Sequence, residues 1–367
     1  MLARSDAPRG LRQLPWPGLW ICLSVSISLG LLGRAARATE TTPPPSEPAT
    51  APTSALVAHR KRDAQLHDPS SIVRCGDTFW LFSTGRLVSS WHSDDLVTWH
   101  RGPSVFQEMP PWVRQVVPEQ RGHFWAPDVI QLGDRYLLYY SVSSFGKNAS
   151  AIALATACSL DPASNAYGWT DQGIVIQSSA ADTFNAIDPA ILQTTDGELW
   201  MAFGSFWSGL KLIRLDPVTG LRADPTAAPL PLAFHREIEA AHLCERDGWF
   251  YLFLNHGVCC RGVESTYEIR VGRSRSITGP YVDRDGVDLR TAGGTLVLAS
   301  EEAFIGPGHA NVTQLDSGTF LHCHFYDATA RGRSYLAMMP LTWTANGWPL
   351  VITGEAAVTD TAPPAPR

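Results

Sequence analysis

Three acidic side chains stand at similar points of a recurring pattern. Asp68 precedes Pro69, Asp188 precedes Pro189, and Glu239 precedes the small pair Ala240-Ala241. Each heads a short apolar run. Two more stretches share the pattern: Trp125-Ala126-Pro127-Asp128-Val129-Ile130 and Gly306-Pro307-Gly308-His309-Ala310-Asn311-Val312. An isolated Asp beside a Pro is a common turn signal, but recurrence at the start of successive apolar strands points to a shared site. Carboxylates gathered in one channel repel each other, and burial raises their pKa values further. One can then stay protonated while another stays ionised. That division supplies a general acid for a leaving oxygen and a general base for water, the chemistry of glycosidic bond hydrolysis. A gap of about 6.5–9.5 Å between acid and base leaves room for the water and inverts the anomeric centre.

The elements that must position these groups are short strands. The acidic or His-bearing stretches recur at roughly 50–70 residues, near the period of propeller blades. Each is followed by a polar turn and a second strand rich in aromatics. Thr78-Phe79-Trp80-Leu81-Phe82-Ser83-Thr84 alternates as a strand does, and Asp196-Gly197 is a hairpin turn signal. No stretch carries a convincing amphipathic-helix period. The expectation is an all-β propeller of five repeats, with each leading strand innermost. Asp68, Asp128, Asp188, Glu239 and His309 then become neighbours around one channel. The register is open by a residue or two, because Asp128 follows its Pro while Asp68 and Asp188 precede theirs.

The flanks are not part of that pattern. Arg4, Arg9 and Arg12 precede an apolar Leu19–Leu32 core and the small-x-small site Ala36-Arg37-Ala38. Residues 1–38 therefore read as a signal peptide, 39–65 as a Pro/Thr/Ser-rich linker, 66–353 as the propeller and 354–367 as a disordered tail. The mature protein is expected outside the cell or in the periplasm, with no stable membrane insertion after cleavage. A net charge of −6 gives no footprint for nucleic acid. Cys22 falls in the signal peptide, and no Cys-x-x-Cys pair occurs among the other six cysteines, which argues against a zinc or redox motif. Several of the six are expected to be buried small apolar residues.

The combination of motifs resembles glycoside hydrolase family 43, and within it the arabinanases. His67-Asp68-Pro69-Ser70, Trp125-Ala126-Pro127-Asp128, Asn185-Ala186-Ile187-Asp188-Pro189 and Glu237-Ile238-Glu239-Ala240 carry the resemblance. Ser144-Phe145-Gly146-Lys147-Asn148, Gly204-Ser205-Phe206-Trp207-Ser208-Gly209 and Cys259-Cys260-Arg261-Gly262-Val263-Glu264-Ser265-Thr266-Tyr267 sharpen it, and it spans roughly Leu66 to Val351. The resemblance implies a five-bladed β-propeller and an inverting mechanism that needs no cofactor for its chemistry. Asp68 matches the general base, Glu239 the general acid, and Asp188 the third carboxylate, which raises and orients the acid. Phe145, Gly146, Asn185, Ala186, Ile187, Ser205, Phe206 and Trp207 match sugar-contacting positions. His309 matches a channel His that borders a calcium or another ion. The implied substrate is α-1,5-linked arabinan, cleaved by endo action. An exo-acting arabinosidase or β-xylosidase on the same scaffold is the alternative, and a non-catalytic carbohydrate-binding propeller is the rival of another class. One departure stands out. Relatives follow the acid with a small residue, Pro and an aromatic, whereas here Ala240-Ala241-His242 follows. Glu237, two residues earlier on the same strand face, is the competing acid.

Overall fold

In the strand Arg135–Val142, Tyr136, Leu138 and Tyr140 join one apolar core while Leu137 and Tyr139 join another. Successive side chains of a strand point to opposite faces, so a strand that is apolar throughout must be covered on both sides. The structure, a computed structural model, describes residues 64–352 apart from Asp316. The expected signal peptide, all but the last two residues of the linker, and the tail lie outside the described residues.

Five antiparallel sheets follow one another along the chain, arranged as the five blades of a β-propeller. Blade 1 comprises Val73–Cys75, Thr78–Ser83, Ser89–Ser93 and His100–Arg101. Blade 2 comprises His123–Leu132, Arg135–Val142, Ser150–Ala157 and Thr170–Ser178, with the short Gly85–Arg86 on its inner edge. Blade 3 comprises Ala190–Gln193, Leu199–Phe203, Leu210–Leu215 and Leu230–Ala233. Blade 4 comprises Ile238–Arg246, Trp249–His256, Glu268–Ser274 and Thr295–Leu298. Blade 5 comprises Phe304–Leu315, Gly318–Asp327, Arg333–Trp343 and Pro349–Val351. In each blade the strands pair in sequence order.

The apolar core sits between blades. Trp80 and Phe82 of blade 1 pack with Tyr136, Leu138 and Tyr140 of blade 2. Leu137 and Tyr139 pack with Leu199, Met201 and Phe203 of blade 3. Ala202 and Leu212 meet Leu243 and Leu252 of blade 4, and Tyr251 and Phe253 meet Leu321, Cys323 and Phe325 of blade 5. Phe320, Leu336 and Met338 return to Leu81 and Trp91 of blade 1. Burying each such large side chain contributes about 1.5–3 kcal/mol, so the interfaces between blades hold the ring together.

Ala64 and Leu66 enter the closing core between blades 5 and 1, and the Leu336 N–H donates to Ala64 O at 3.0 Å. The folded region therefore starts before the expected boundary at Leu66, because the chain ahead of blade 1 supplies apolar side chains and a backbone acceptor. Among the described residues the single α-helix is the four-residue Val113–Val116, and no helix is long and apolar enough to cross a membrane. Of the cysteines, Cys323 is buried in the core, Cys75 and Cys244 are half-buried thiols, and Cys259 is disulfide-bonded to its neighbour Cys260.

Candidate active site

One residue near the inner end of every blade has a left-handed backbone. These are Asp68 (φ 51°), Ala126 (φ 41°), Asp188 (φ 58°), Ala240 (φ 55°) and His309 (φ 56°). None is glycine, so each position carries a small conformational cost that the surrounding structure must hold. In blades 2, 4 and 5 the strand register shifts across this point, between Trp125 and Asp128, Glu239 and His242, and Gly308 and Asn311. Such bulges re-aim side chains. They also settle the open register. Asp68, Asp188 and His309 are equivalent, Glu239 lies one residue before the equivalent position, and Asp128 lies two residues after it.

That offset removes Asp128 from the expected group. Its Oδ1 accepts from the Ser71 and Val129 N–H groups at 2.9 Å each, and its Oδ2 accepts from Ile191 N–H at 2.7 Å. Asp128 thus clamps backbone from blades 1, 2 and 3. Its burial raises its pKa, and the three backbone donors oppose that rise.

The N–H of each left-handed residue is capped from a neighbouring blade. His324 Nδ1 accepts from Asp68 N–H at 3.2 Å, Thr84 Oγ1 from Ala126 N–H at 2.8 Å, Ser141 Oγ from Asp188 N–H at 3.0 Å and Asn255 Oδ1 from His309 N–H at 2.9 Å. Those four side chains come from the end of the preceding blade's second strand. Blade 4 departs: Asp188 Oδ2 itself accepts from Ala240 N–H at 3.2 Å. The side chain freed from that duty, Ser205 at the end of blade 3's second strand, donates instead to Glu239 Oε2 at 2.6 Å.

Glu239 is buried, and its other oxygen accepts from the Tyr267 hydroxyl. Tyr267 fits because residue 308 is glycine: a Cβ there would collide with the Tyr267 ring. Burial raises the pKa of Glu239 against the pull of both hydroxyls. Asp188 is raised well above the carboxylate range by burial, by the Glu239 charge and by Asp68. Asp188 and Glu239 therefore hold a proton between them. Hydroxyls donate or accept and serve either state of Glu239, whereas a backbone N–H only donates and favours an ionised Asp188.

Asp68 is the opposite case. Burial penalises its charge, but its neighbours, His67 first among them, hold its carboxyl well below the usual range. His67 Nδ1 lies 2.7 Å from Oδ1, His309 Nδ1 and His324 Nδ1 lie 3.6 Å from it, and Thr84 Oγ1 donates to Oδ2 at 2.5 Å. One carboxylate is held ionised while a coupled pair is raised, the kind of division that hydrolysis with separate base and acid requires. Glu237, the competing acid, is half-buried at the entrance to the blade 4 inner strand.

The loops expected to meet the sugar are stitched to this centre. Asn148 Nδ2 donates to Asp182 O at 3.0 Å and Phe184 O at 3.1 Å, tying the Phe145-Gly146 loop to the Asn185 segment. Ser208 N–H donates to Thr183 O at 3.0 Å, and Phe206 N–H to Ile238 O, beside Glu239, at 2.7 Å. Phe145 and Trp207 present 78% and 41% of their surface to solvent, and Gly146 takes a left-handed turn (φ 75°) on the same exposed loop. Phe206 is half-buried beside Trp207. Asn185 and Ile187 are buried, and Asn185 Oδ1 accepts from Ser150 Oγ at 2.7 Å. Ala186 is fully buried in the core between blades 2 and 3, so its methyl supports the loop from beneath and does not face the channel.

His309 is buried, and burial lowers its pKa although Asp68 opposes this, so its imidazole is neutral as a metal ligand must be. His67, Asp68 and His324 also bring ligand atoms within 4.8 Å of one another. His242 accepts from Val312 N–H at 3.1 Å through Nε2, and burial pushes its pKa down to about 3. It is thus a buried neutral ring at the position where the resemblance implies an aromatic.

Several site residues went unread in the sequence: Thr84, Ser141, Tyr267, His324 and Tyr326. For the last two a signal existed. In His322-Cys323-His324-Phe325-Tyr326, the alternation sends Cys323 and Phe325 into the core with blade 4 and turns His322, His324 and Tyr326 toward blade 1. Polar residues on one face of an otherwise apolar strand mark a lined channel.

Comparison with known proteins bears directly on this geometry. Residues 63–349 match the family described as Glycosyl hydrolases family 43. The chain is 40% identical over 310 residues to the extracellular exo-α-(1→5)-L-arabinofuranosidase ArbA of Cellvibrio japonicus, covering 81% of this chain and 89% of that protein. It is 38% identical over 292 residues to the extracellular endo-α-(1→5)-L-arabinanase 1 of Bacillus subtilis, covering 77% and 87%. The solved structure of Cellvibrio cellulosa α-L-arabinanase complexed with arabinohexaose superimposes with a TM-score of 0.76 at 38% identity, covering 79% of this chain and 96% of that one.

Proposed function

The chain belongs to Glycosyl hydrolases family 43, and from that premise we propose that it is an exported arabinanase, cleaving α-1,5-linked L-arabinan internally with inversion of configuration. Asp68 takes a proton from a water molecule as that water attacks the anomeric carbon. Glu239 gives its proton to the departing oxygen of the adjoining arabinose. Asp188 keeps Glu239 protonated by its like charge and, through the Ala240 N–H, steadies the backbone that carries the acid. No covalent glycosyl-enzyme forms in this scheme. The observation that supports it best is the contrast in partners: three imidazoles around Asp68, rotatable hydroxyls on Glu239 and a fixed N–H on Asp188.

Phe145, Gly146, Phe206 and Trp207 form the sugar-facing rim in this reading, with Ser205 set between rim and acid. Asn185, Ala186 and Ile187 shape the floor behind it. The hydrolysis needs no cofactor. A calcium or another ion would be held at the neutral His309 imidazole, where its charge would help to keep Asp68 ionised. No step of the hydrolysis passes through it.

Incubation with debranched arabinan tests the proposal. The expected products are a ladder of arabino-oligosaccharides, and proton NMR should find inverted anomeric configuration in the first-formed sugar. A single small product from the outset would mean exo action. No release at all would leave a carbohydrate-binding propeller.

A further inference from the structure

Asp68 is the end of a hydrogen-bonded chain that the three-carboxylate scheme does not use. Cys260 N–H donates to the Tyr326 hydroxyl at 2.7 Å, Tyr326 Oη lies 2.6 Å from His67 Nε2, and His67 Nδ1 lies 2.7 Å from Asp68 Oδ1. The four residues come from three segments, His67 and Asp68 being neighbours in the stretch before blade 1. Tyr326 is buried at the end of Gly318–Asp327, and Cys260 sits in the disulfide-bonded turn after Trp249–His256. The His67 ring is also stacked on His324, with centroids 3.8 Å apart and planes 26° from parallel. Its position is therefore set from the edge and from the face.

The directions along this chain follow from donor counting. A carboxylate only accepts, so the proton in the shorter contact belongs to His67 Nδ1. The Cys260 amide only donates, so Tyr326 oxygen accepts it. The Tyr326 hydroxyl proton then points to His67 Nε2, which accepts. Every donor has an acceptor when His67 is neutral with its proton on Nδ1. We propose that His67 is a positioning residue for the base, locked in the Nδ1–H tautomer by Tyr326 and the Cys259–Cys260 turn. It orients the Asp68 carboxylate toward the water, while Thr84 holds the other oxygen from the far side. The bond from Nδ1 occupies one lone pair of Oδ1 and leaves the remaining pairs of the carboxylate to receive the water's proton.

The inference rests on Asp68 being the base, but its first test does not depend on turnover. In ¹⁵N-resolved NMR of the full exported protein, the His67 ring should show a protonated Nδ1 and an unprotonated Nε2. The His67→Asn variant identifies the signals by their loss. A ring protonated on Nε2 alone would overturn the proposal even if arabinan is hydrolysed with inversion. Conversely, a protein that leaves arabinan intact but carries the Nδ1–H tautomer would sink the proposed reaction and keep the network. The second test is kinetic. Tyr326→Phe should lower kcat at least about tenfold with KM within about twofold, because the loss falls on the transition state. His67→Asn keeps a donor near the Nδ1 position and should retain at least about ten times the kcat of His67→Ala. Equal rates for those two variants, with equal thermal midpoints, would reduce His67 to packing and overturn the positioning role.

Discussion

The Ala240 amide donates to Asp188 Oδ2 across 3.2 Å, and so ties the residue after one buried carboxylate to the neighbouring blade's carboxylate. The four equivalent amides are capped by His324, Thr84, Ser141 and Asn255, none of them acidic. Blade 4 alone borrows an acid for the task. The exchange frees Ser205 to serve Glu239, so one substitution in a repeating backbone device links two of the three carboxylates.

Asp188→Asn isolates the charge in that link. The Asn oxygen still accepts from Ala240 N–H, so the backbone keeps its place. What disappears is one partner of a coupled pair, seen as the Glu239 charge raising Asp188, and with it the like charge that the proposed scheme sets beside the acid. Glu239 then loses its proton at lower pH, and activity, which needs the protonated acid, should fall earlier as pH rises. A pH profile of kcat/KM should show the basic limb displaced to lower pH with the acid limb in place. A basic limb that stays put would mean that Asp188 does not act on the acid through its charge.

Removing the acid itself should depend on the leaving group. Glu239→Ala should slow arabinan hydrolysis by about 10²–10⁴-fold, since the departing alkoxide needs a proton. An aryl arabinoside with a good leaving group departs unassisted and should lose far less. Glu237→Ala should show no such contrast. The comparison is made with both substrates on both variants, and the reverse pattern would move the acid to Glu237.

Much of this was legible beforehand, for physical reasons. Recurrent apolar strands headed by an acid or His gave the blade count and placed Asp68, Asp188 and Glu239 on blade leading ends. The hydrogen bonds that set their protonation were not legible, because they join residues as far apart as Asp68 and His324. Asp128 was misplaced because a two-residue offset along a bulged strand turns the same residue type from channel wall to backbone clamp. Ala64 was missed since a small apolar residue before the first strand carries no periodic signal.

The exposed aromatics offer a separate test. Trp207 and Phe145 are largely free of core contacts, and flat apolar faces stack on sugar rings. Trp207→Ala should weaken arabino-oligosaccharide binding by about 1–3 kcal/mol. Stability should move by less than about 0.5 kcal/mol, as expected for a surface side chain. Phe145→Ala should behave similarly. Calorimetric titration alongside thermal melts separates the two effects, and unchanged binding would remove either residue from the rim.

Export has its own signature. The basic start, the Leu19–Leu32 core and Ala36-Arg37-Ala38 favour cleavage after Ala38. Mass spectrometry of the secreted protein should find an N-terminus within a few residues of Thr39. An intact Met1 on the secreted form would contradict it.

Asp128 completes the set, because its acidity suggests chemistry and its bonding does not. Its two oxygens take three backbone N–H groups from blades 1, 2 and 3 in a buried place. In Asp128→Ala those donors lose their acceptor without gaining water, at about 1–3 kcal/mol for each. The variant should therefore lose more than about 3 kcal/mol of stability, read from the urea midpoint at an unchanged slope. Asp128→Asn keeps one acceptor oxygen but turns an NH₂ group toward the third donor, so it should fall between the two. Its kcat on arabinan, measured well below its melting temperature, should stay close to wild type, since both Asp128 oxygens are spent on backbone N–H groups. A folded Asp128→Asn protein with kcat reduced a hundredfold would return this carboxylate to the reaction and undo its assignment as a clamp.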